Sequence, residues 1–505
     1  MEFLSYVAGV LTPINIAIIA ISVVIGIVLG ALPGISSAVA VALVLPVTFT
    51  MEPATALIFL GSIYMASCYG GSYGAILLNA PGTPQSIATT FDGFPMTRRG
   101  EGALAMYLSC LVSVVGGLTG IICFVLLAPP LSKIALMFGP SELFWLGIFG
   151  VSIMSTLSGE GGPLKGLISG VLGLALSLVG IAVISSDTRY TLGMPGLVGG
   201  IGIVPACIGL LVIPVVIDMM RTKDEYIQMP VSRQRKVRFL EDAMPVLRSN
   251  RLNLLRSNII GLFVGVVPAA GGAIASLLAY SAAMRSSGDP ASYGKGNPGG
   301  VIASETANNA TVASSFVPTF VLAVPGTPAD AVILAAMLIH GLQVGPALFT
   351  HHADILWTFM LGLSLATALI LPIGLFMGRH AYQFIVAVPK SYLAPLIATT
   401  ALVGSFSYQN SHFDMVIALV LGGFGWLIAR CGFSAPPMVL GLLLGPIIER
   451  SFTQAFLIGR ATNDQIGIFL GRPISIVIII CVLISVFAPH IMSNITKRRG
   501  ARHVS

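Results

Sequence analysis

The four residues Pro81-Gly82-Thr83-Pro84 recur 244 positions later as Pro325-Gly326-Thr327-Pro328, and each copy interrupts a strongly apolar run. Their types dictate a backbone event. The first proline lacks an N–H and pushes the preceding residue out of the helical region, and the glycine is free to take positive φ. The threonine is a good N-cap, and the second proline suits the first position of a new helix. Each copy therefore stops one helix and starts another. The starting helix offers N–H groups with about half a positive charge, an anion site that needs no Arg, and the stopping helix leaves carbonyls for a cation. Side chains that could complete an anion site stand close by in sequence. Asn79 precedes the first break, and Asn308 and Asn309 lie in the polar insert GVIASETANNATVASSFVPT ahead of the second. The anion candidates are accordingly Asn79, Pro81, Gly82, Thr83, Asn308, Asn309, Pro325, Gly326 and Thr327. The cation candidates are Gly34, Ser36 and Ser37, from a third interruption at ALPGISS, with the carboxyl groups of Glu305 and Asp330. Asp330 occupies the third position of the restarted helix, where it could equally be a capping residue. The polar insert could line a pathway at membrane depth, or form a water-exposed loop, since Lys295 lies only ten residues before Glu305.

Other constellations point away from catalysis. Gly70-Gly71-Ser72-Tyr73-Gly74 matches G-x-S-x-G but lacks the strand-turn-helix setting of a nucleophile elbow, so close packing of small residues explains it better. His351 and His352 are adjacent and cannot share a helix face as metal ligands at i and i+4 would. Six cysteines are scattered among apolar residues without any C-x-x-C, which reads as small core residues. Walker A residues are lacking too, so the reading is not an enzyme, with no metal and no cofactor other than a coupling ion.

The elements that must position these residues are set by composition. Of 505 residues 55% are hydrophobic and only 9% charged, with a mean hydropathy of +0.94. A soluble domain carries about 25% charged residues. The chain reads as a polytopic membrane protein, and its long unbroken apolar runs lack the period of two of a barrel strand, so the spans are helices. Runs such as Ala103 to Ala128, Leu167 to Ile184, Leu197 to Ile217, Ile355 to Met377 and Ile474 to Ile491 suggest about 12 crossings. The net charge of +7 comes from loops and the tail TKRRGARH, as topology determinants rather than a nucleic-acid patch. The start MEFLSYVAGVLTP lacks the basic residues of a signal peptide, so the first helix is expected to stay in the mature protein. Gly26 to Gly30 and Gly441 to Gly445 are G-x-x-x-G patterns that suit helix contacts.

Self-similarity divides the chain in two. ALPGISSAVAVAL (Ala31 to Leu43) resembles VVPAAGGAIASLL (Val266 to Leu278), and a Pro-Gly-Thr-Pro follows each. The expected organisation is a first membrane repeat at 1–217, a basic connector at 218–258, a second repeat at 259–472, and a final helix with a basic tail at 473–505. The connector carries nine Lys or Arg and belongs in the cytoplasm. Charge bias then tells the two repeats apart. FDGFPMTRRGEG carries Arg98 and Arg99, whereas its counterpart HGLQVGPALFTHHAD has no Lys or Arg. SGEGGPLKG carries Lys165 against none in SFSYQNSHFD, and TFTMEP has none against Arg285 and Lys295 in MRSSGDPASYGKGNPGG. The bias flips sign between halves, as inverted-topology repeats require. The N-terminus is then periplasmic and the C-terminus cytoplasmic.

The chain resembles the large membrane subunit of the tripartite tricarboxylate transporters. The stretches that carry the resemblance are GALPGISSAVAVALVLPVTF, YGGSYGAILLNAPGTPQSIATTFDGFPMTRRGEGALAM, YGKGNPGGVIASETANNATVASSFVPT and VPGTPADAVILAAMLIHGLQVGPALF. The motif-level match covers about a third of the chain. It departs from the family pattern at Ala269 and Ala270, at Val344 and at Thr306. The resemblance implies a multi-pass protein of the bacterial inner membrane, a symporter driven by a sodium or proton gradient. It further implies a small membrane partner of about four helices, a periplasmic binding protein that delivers a small carboxylate, and kinship with elevator-type transporters. In that setting the anion candidates would surround the substrate carboxylate. A passive anion channel or a polytopic membrane enzyme are the alternative readings.

Overall fold

The computed structural model describes residues 2–32, 34–153, 162–182, 186–221, 239–268, 271–387 and 390–485. Residues 222–238 of the connector, Ala269, Ala270, the first four residues of the SGEGGPLKG loop, the last residues of the Ile474 to Ile491 run and the basic tail therefore lie outside the described residues. The chain is an α-helical, multi-pass membrane protein. Among the described residues six helices are long and apolar enough to cross a bilayer, namely Pro13–Ala31, Pro53–Leu78, Gly102–Ala135, Ile203–Arg221, Ala353–Gly378 and His412–Arg430. Shorter apolar helices cover Ser37–Thr50, Leu164–Ser177, Pro328–Ile339 and Pro473–Ser485. One expected crossing is cut short. The run from Leu167 stops as a helix at Ser177, because Gly180 at φ 110° turns the chain into a two-residue hairpin with Thr188–Arg189.

The chain forms two compact units, Met1–Ser132 with Val212–Asn410, and Lys133–Leu211 with Ser411–Ser505. Both breaks lie in the first unit. The helices that frame them are α1 (Pro13–Ala31), α2 (Ser37–Val44), α3 (Pro53–Leu78), α4 (Ile87–Arg98), α5 (Gly102–Ala135), α6 (Arg251–Val266), α7 (Gly271–Arg285), α8 (Pro298–Ser314), α9 (Phe316–Leu322), α10 (Pro328–Ile339) and α11 (Ala353–Ala387). Starts follow local chemistry: Thr12 accepts the Asn15 N–H ahead of α1, Ser36 accepts the Val39 N–H ahead of α2, and prolines open α1, α3, α8 and α10.

Close helix pairing occurs twice in this unit, on the same plan. Gly26 and Gly30 of α1 face Ile63, Ala66 and Ser67 of α3 with no room for a side chain; a Cβ on Gly26 would lie 2.6 Å from that of Ala66. Gly261 and Gly265 of α6 stand in the same relation to Ala307, Ala310, Thr311 and Ser314 of α8. Small residues let these backbones touch, the standard way membrane helices associate. The elements also exchange partners: α2 packs against α10 as well as α3, while α7 packs against α4 and the Pro84–Ser86 turn as well as α8. Phe124, Phe316, Phe320 and Phe359 form a buried aromatic cluster, their rings 5.3–5.9 Å apart, which Tyr64 joins at its edge.

Loop contacts within this unit sort by charge. Arg99 donates to the Gly296 carbonyl, and buried Asp92 accepts the N–H groups of Gly296 and Asn297, both at 2.7 Å, with the Tyr280 hydroxyl at 2.9 Å. Arg256 donates to the Ser286 hydroxyl. The basic loops around Arg98 and Lys295 are thus held together. His340, which follows α10, instead contacts Thr48 at 3.5 Å, in a stretch without Lys or Arg.

In the second unit, Gly441 and Gly445 sit against Gly170, Leu174 and Ser177 in another side-chain-free crossing. One buried carboxylate there, Glu142, is answered by the Gly139 N–H (2.8 Å), Arg472 (2.9 Å) and Ser475 (3.1 Å).

Candidate functional site

The two breaks share one geometry, from residues that differ. At the first, α3 ends on Asn79 at φ 57°, and the Ala80 N–H returns to the Gly74 carbonyl at 3.1 Å. At the second, α9 ends on Ala323 at φ 55°, and the Val324 N–H returns to the Pro318 carbonyl at 3.3 Å. Each return spans six positions, one more than the Schellman ending that also follows a left-handed residue. The left-handed residue therefore comes two positions before each first proline, which corrects the expectation for the glycines. Gly82 and Gly326 are required by close approach. A Cβ on Gly82 would run into the Gly30 carbonyl oxygen, and one on Gly326 would lie 2.8 Å from Ser315 Cβ.

Restarting differs slightly between the two. Thr327 caps α10 as expected, its hydroxyl accepting the Asp330 N–H at 3.2 Å. After Thr83 a short 3₁₀ turn, Pro84–Ser86, precedes α4, and the Thr83 hydroxyl meets Ser86 Oγ at 3.2 Å. Two amides expected to face an anion are already engaged: Gly82 N–H with the Gly71 carbonyl and Gly326 N–H with the Thr319 hydroxyl, each at 3.3 Å.

Helix α3 brings the breaks together. Thr327 bonds the Tyr64 hydroxyl at 2.8 Å, and Thr83 lies over the bare face of Gly71. Both threonines are buried. Tyr64 and Gly71 are two helical turns apart, about 10 Å along the axis. Between them the Cys68 carbonyl accepts from Asn308 Nδ2 at 3.5 Å. Around Cys68 is a polar cluster that the sequence did not announce. Its thiol approaches Ser37 Oγ (3.3 Å), and Gln85 Oε1 accepts from Ser37 (3.4 Å) and Cys68 (3.5 Å). Cys68 is thus more than a small core residue.

The polar insert forms the buried helix α8, not a water-exposed loop. Glu305 Oε1 accepts from Thr89 of α4, which also contacts Ser304 at 2.9 Å. Asn309 Nδ2 donates to Ser113 Oγ of α5 (2.8 Å) and to the Glu305 carbonyl (3.0 Å). Glu305 Oε2, Asn308 Oδ1, Asn309 Oδ1 and both carboxylate oxygens of Asp330 are buried and accept no hydrogen bond. The Thr327 hydroxyl makes the N-cap bond. Among the candidates the structure does not bring three to this cluster. Asn79 is exposed, and with Ala323 in the equivalent place its task is a backbone one. Gly34 is exposed at φ 92°, and the Ser36 hydroxyl is spent on the α2 cap. Pro81 and Pro325 shape the breaks. The G-x-S-x-G serine, Ser72, is buried inside α3, where its hydroxyl accepts from Ser109 at 2.8 Å.

Residues 16–440 match the Tripartite tricarboxylate transporter TctA family. The chain belongs to that family. Over 465 residues it is 32% identical to an uncharacterized 52.8 kDa protein in the TAR-I ttuC' 3' region of Agrobacterium vitis, covering 92% of this chain and 91% of the relative. A second Agrobacterium vitis relative, an uncharacterized protein in the TAR-II ttuC' 3' region, is 31% identical over 238 residues, 46% of this chain and 96% of its own length. No solved structure gives a significant match. As a TctA-family member the chain is a transport protein of a tripartite system. Both breaks and the whole of α8 fall inside the matched residues. Tyr64, Thr89 and Ser113 escaped sequence reading because each lies in a largely apolar or small-residue stretch with no motif around it. Gln85 alone carried a signal, as the residue next to a Pro-Gly-Thr-Pro.

Proposed function

We propose that this chain is the large membrane subunit of a secondary symporter that imports a small carboxylate, tricarboxylate, dicarboxylate or a related organic acid, into a bacterial cell across the inner membrane. A periplasmic binding protein delivers the substrate, and a small membrane subunit of about four helices completes the complex. The observation that carries the reading is the meeting of two matched helix breaks on the middle of α3, beside a buried polar helix, because irregular backbone at membrane depth is tolerated where it lines a cavity or is covered by protein. In this reading Thr83, Thr327 and the first turns of α4 and α10 face the carboxylate, and Glu305 and Asp330 serve the coupling cation. Repeated helix pairs with exchanged partners, α2 on α10 and α7 on α4, support two repeats of opposite topology. Grouping of the basic loops supports placing them, with the connector and the C-terminus, in the cytoplasm and the N-terminus in the periplasm. An elevator-type cycle, in which the part bearing both breaks crosses the membrane, belongs to the same reading. The test is counterflow of labelled carboxylates in proteoliposomes holding both membrane subunits and the binding protein, under imposed sodium and proton gradients. Equal fluxes with and without either gradient, and no accumulation, would replace symport by a channel.

A further inference from the structure

Glu305, Asn308 and Asn309 occupy positions i, i+3 and i+4 of α8, so their side chains share one helix face, with Cβ atoms about 5–6 Å apart. All three are buried. The amide orientations follow from their partners. Asn309 Nδ2 points at the Glu305 main-chain carbonyl (3.0 Å), and Asn308 Nδ2 points at the Cys68 main-chain carbonyl (3.5 Å). A carbonyl only accepts, so the nitrogen of each amide must lie on that side and the oxygen on the other. Both amide oxygens, with Glu305 Oε2, are then left without a donor inside the protein. Leaving one buried acceptor unmet is costly, and three on one face is a composition that calls for something positive.

We propose that this face of α8 is an alkali-cation site, ligated by Glu305 Oε2, Asn308 Oδ1 and Asn309 Oδ1, so that the two asparagines hold a cation and not the substrate anion. This rests on the transport reading and deepens it. An anion fits this face poorly, since it presents three unmet acceptors and only one uncommitted N–H, on Asn308 Nδ2. Hard oxygen ligands suit a hard cation. The charge of that cation follows from the ligand set: the partners of these side chains are Thr89, Ser113 and the main-chain carbonyls of Cys68 and Glu305, all neutral, so Glu305 supplies the one negative charge among the ligands. A monovalent ion balances it, whereas a divalent ion would leave a buried net charge. A proton on Glu305 Oε2 could be donated to one amide oxygen and would leave the other unanswered, so sodium answers the whole set. The Thr89 hydroxyl, donating to Glu305 Oε1, fixes which carboxylate oxygen faces the ion.

The experiment needs no transport. The purified full-length chain in nanodiscs is unfolded thermally while sodium chloride replaces choline chloride at constant ionic strength and pH. Sodium should raise the wild-type midpoint to a plateau. Asn308→Ala and Asn309→Ala should each raise the half-saturating sodium concentration tenfold or more, Glu305→Gln should abolish the response, and Gly423→Ala, with open space around it, should keep it. Asn309→Asp keeps the shape and adds a second carboxylate, so it should acquire a calcium response in place of part of the sodium one. The proposal is overturned if both alanine variants keep the wild-type sodium response, if folded Asn309→Asp gains no calcium response, or if wild type ignores sodium and responds only to acid. Counterflow without sodium stabilisation sinks this site and spares the transport reading; sodium stabilisation without counterflow does the reverse.

Discussion

Thr327 has two tasks at once, and a double-mutant cycle with Tyr64 separates them. Its hydroxyl accepts the Asp330 N–H at 3.2 Å and bonds the Tyr64 hydroxyl at 2.8 Å, with both residues buried. Thr327→Val keeps the shape and removes both bonds. Losing the cap costs about 1 kcal/mol, and stranding the tyrosine hydroxyl away from water costs about 1–3 kcal/mol more. Tyr64→Phe alone leaves the cap intact and should cost about 1 kcal/mol. Adding Tyr64→Phe to Thr327→Val removes the stranded hydroxyl, so the double variant should be no less stable than Thr327→Val by itself. The resulting coupling is at least about 1 kcal/mol, and about 2–4 kcal/mol where the second change relieves the whole cost of the stranded hydroxyl. Reversible denaturant unfolding in mixed micelles measures it. If the two changes add to within about 0.5 kcal/mol, as independent sites do, the second break is not held to α3 through this bond, and the account of how the breaks meet is wrong.

Three further outcomes can be checked. Gly82→Ala drives a Cβ into the Gly30 carbonyl and should lower the folded yield sharply, by more than 3 kcal/mol of stability on the scale of buried overpacking, while Gly423→Ala, with nothing within 4 Å, should be silent. Asp92→Ala removes the acceptor for the Gly296 and Asn297 amides and Tyr280, bonds to a charged group worth about 1.5–3 kcal/mol each, and should loosen the start of α8, seen as faster amide exchange there. Single cysteines at exposed Arg98 and Gly288 should react with an impermeant maleimide from one side of oriented vesicles, and one at exposed His351 from the other; labelling of all three from the same side refutes the topology.

The breaks were legible because proline and glycine act locally, whatever surrounds them. Their shape was not. The left-handed conformation falls on Asn79 and Ala323, and an alanine there, at a cost of about 1–2 kcal/mol, is imposed by the turn that follows and leaves no mark in the sequence. Glu305, Asn308 and Asn309 stood out as polar residues in an apolar setting. Which end of the Asn308 amide is free depends on Cys68, 240 positions away, so no local reading could supply it, whereas the Asn309 amide is set by the Glu305 carbonyl one helical turn before it. The same limit explains the spans: the apolar run after Leu167 reads as a crossing by hydropathy, and only the hairpin at Gly180 shows it to be shorter.

The glycine contacts of α1 with α3, and of α6 with α8, join main chain to main chain at successive turns. Helices held by interlocking side chains can slip past one another as rotamers change; a backbone seated directly on a backbone has nothing to re-sort. Each pair is therefore a stiff plank, and α3, which belongs to one plank, also grips the threonine of both breaks. Spreading the two breaks would tear those grips, a geometry that favours the proposed cycle in which both breaks travel as one piece and the chain bends somewhere else.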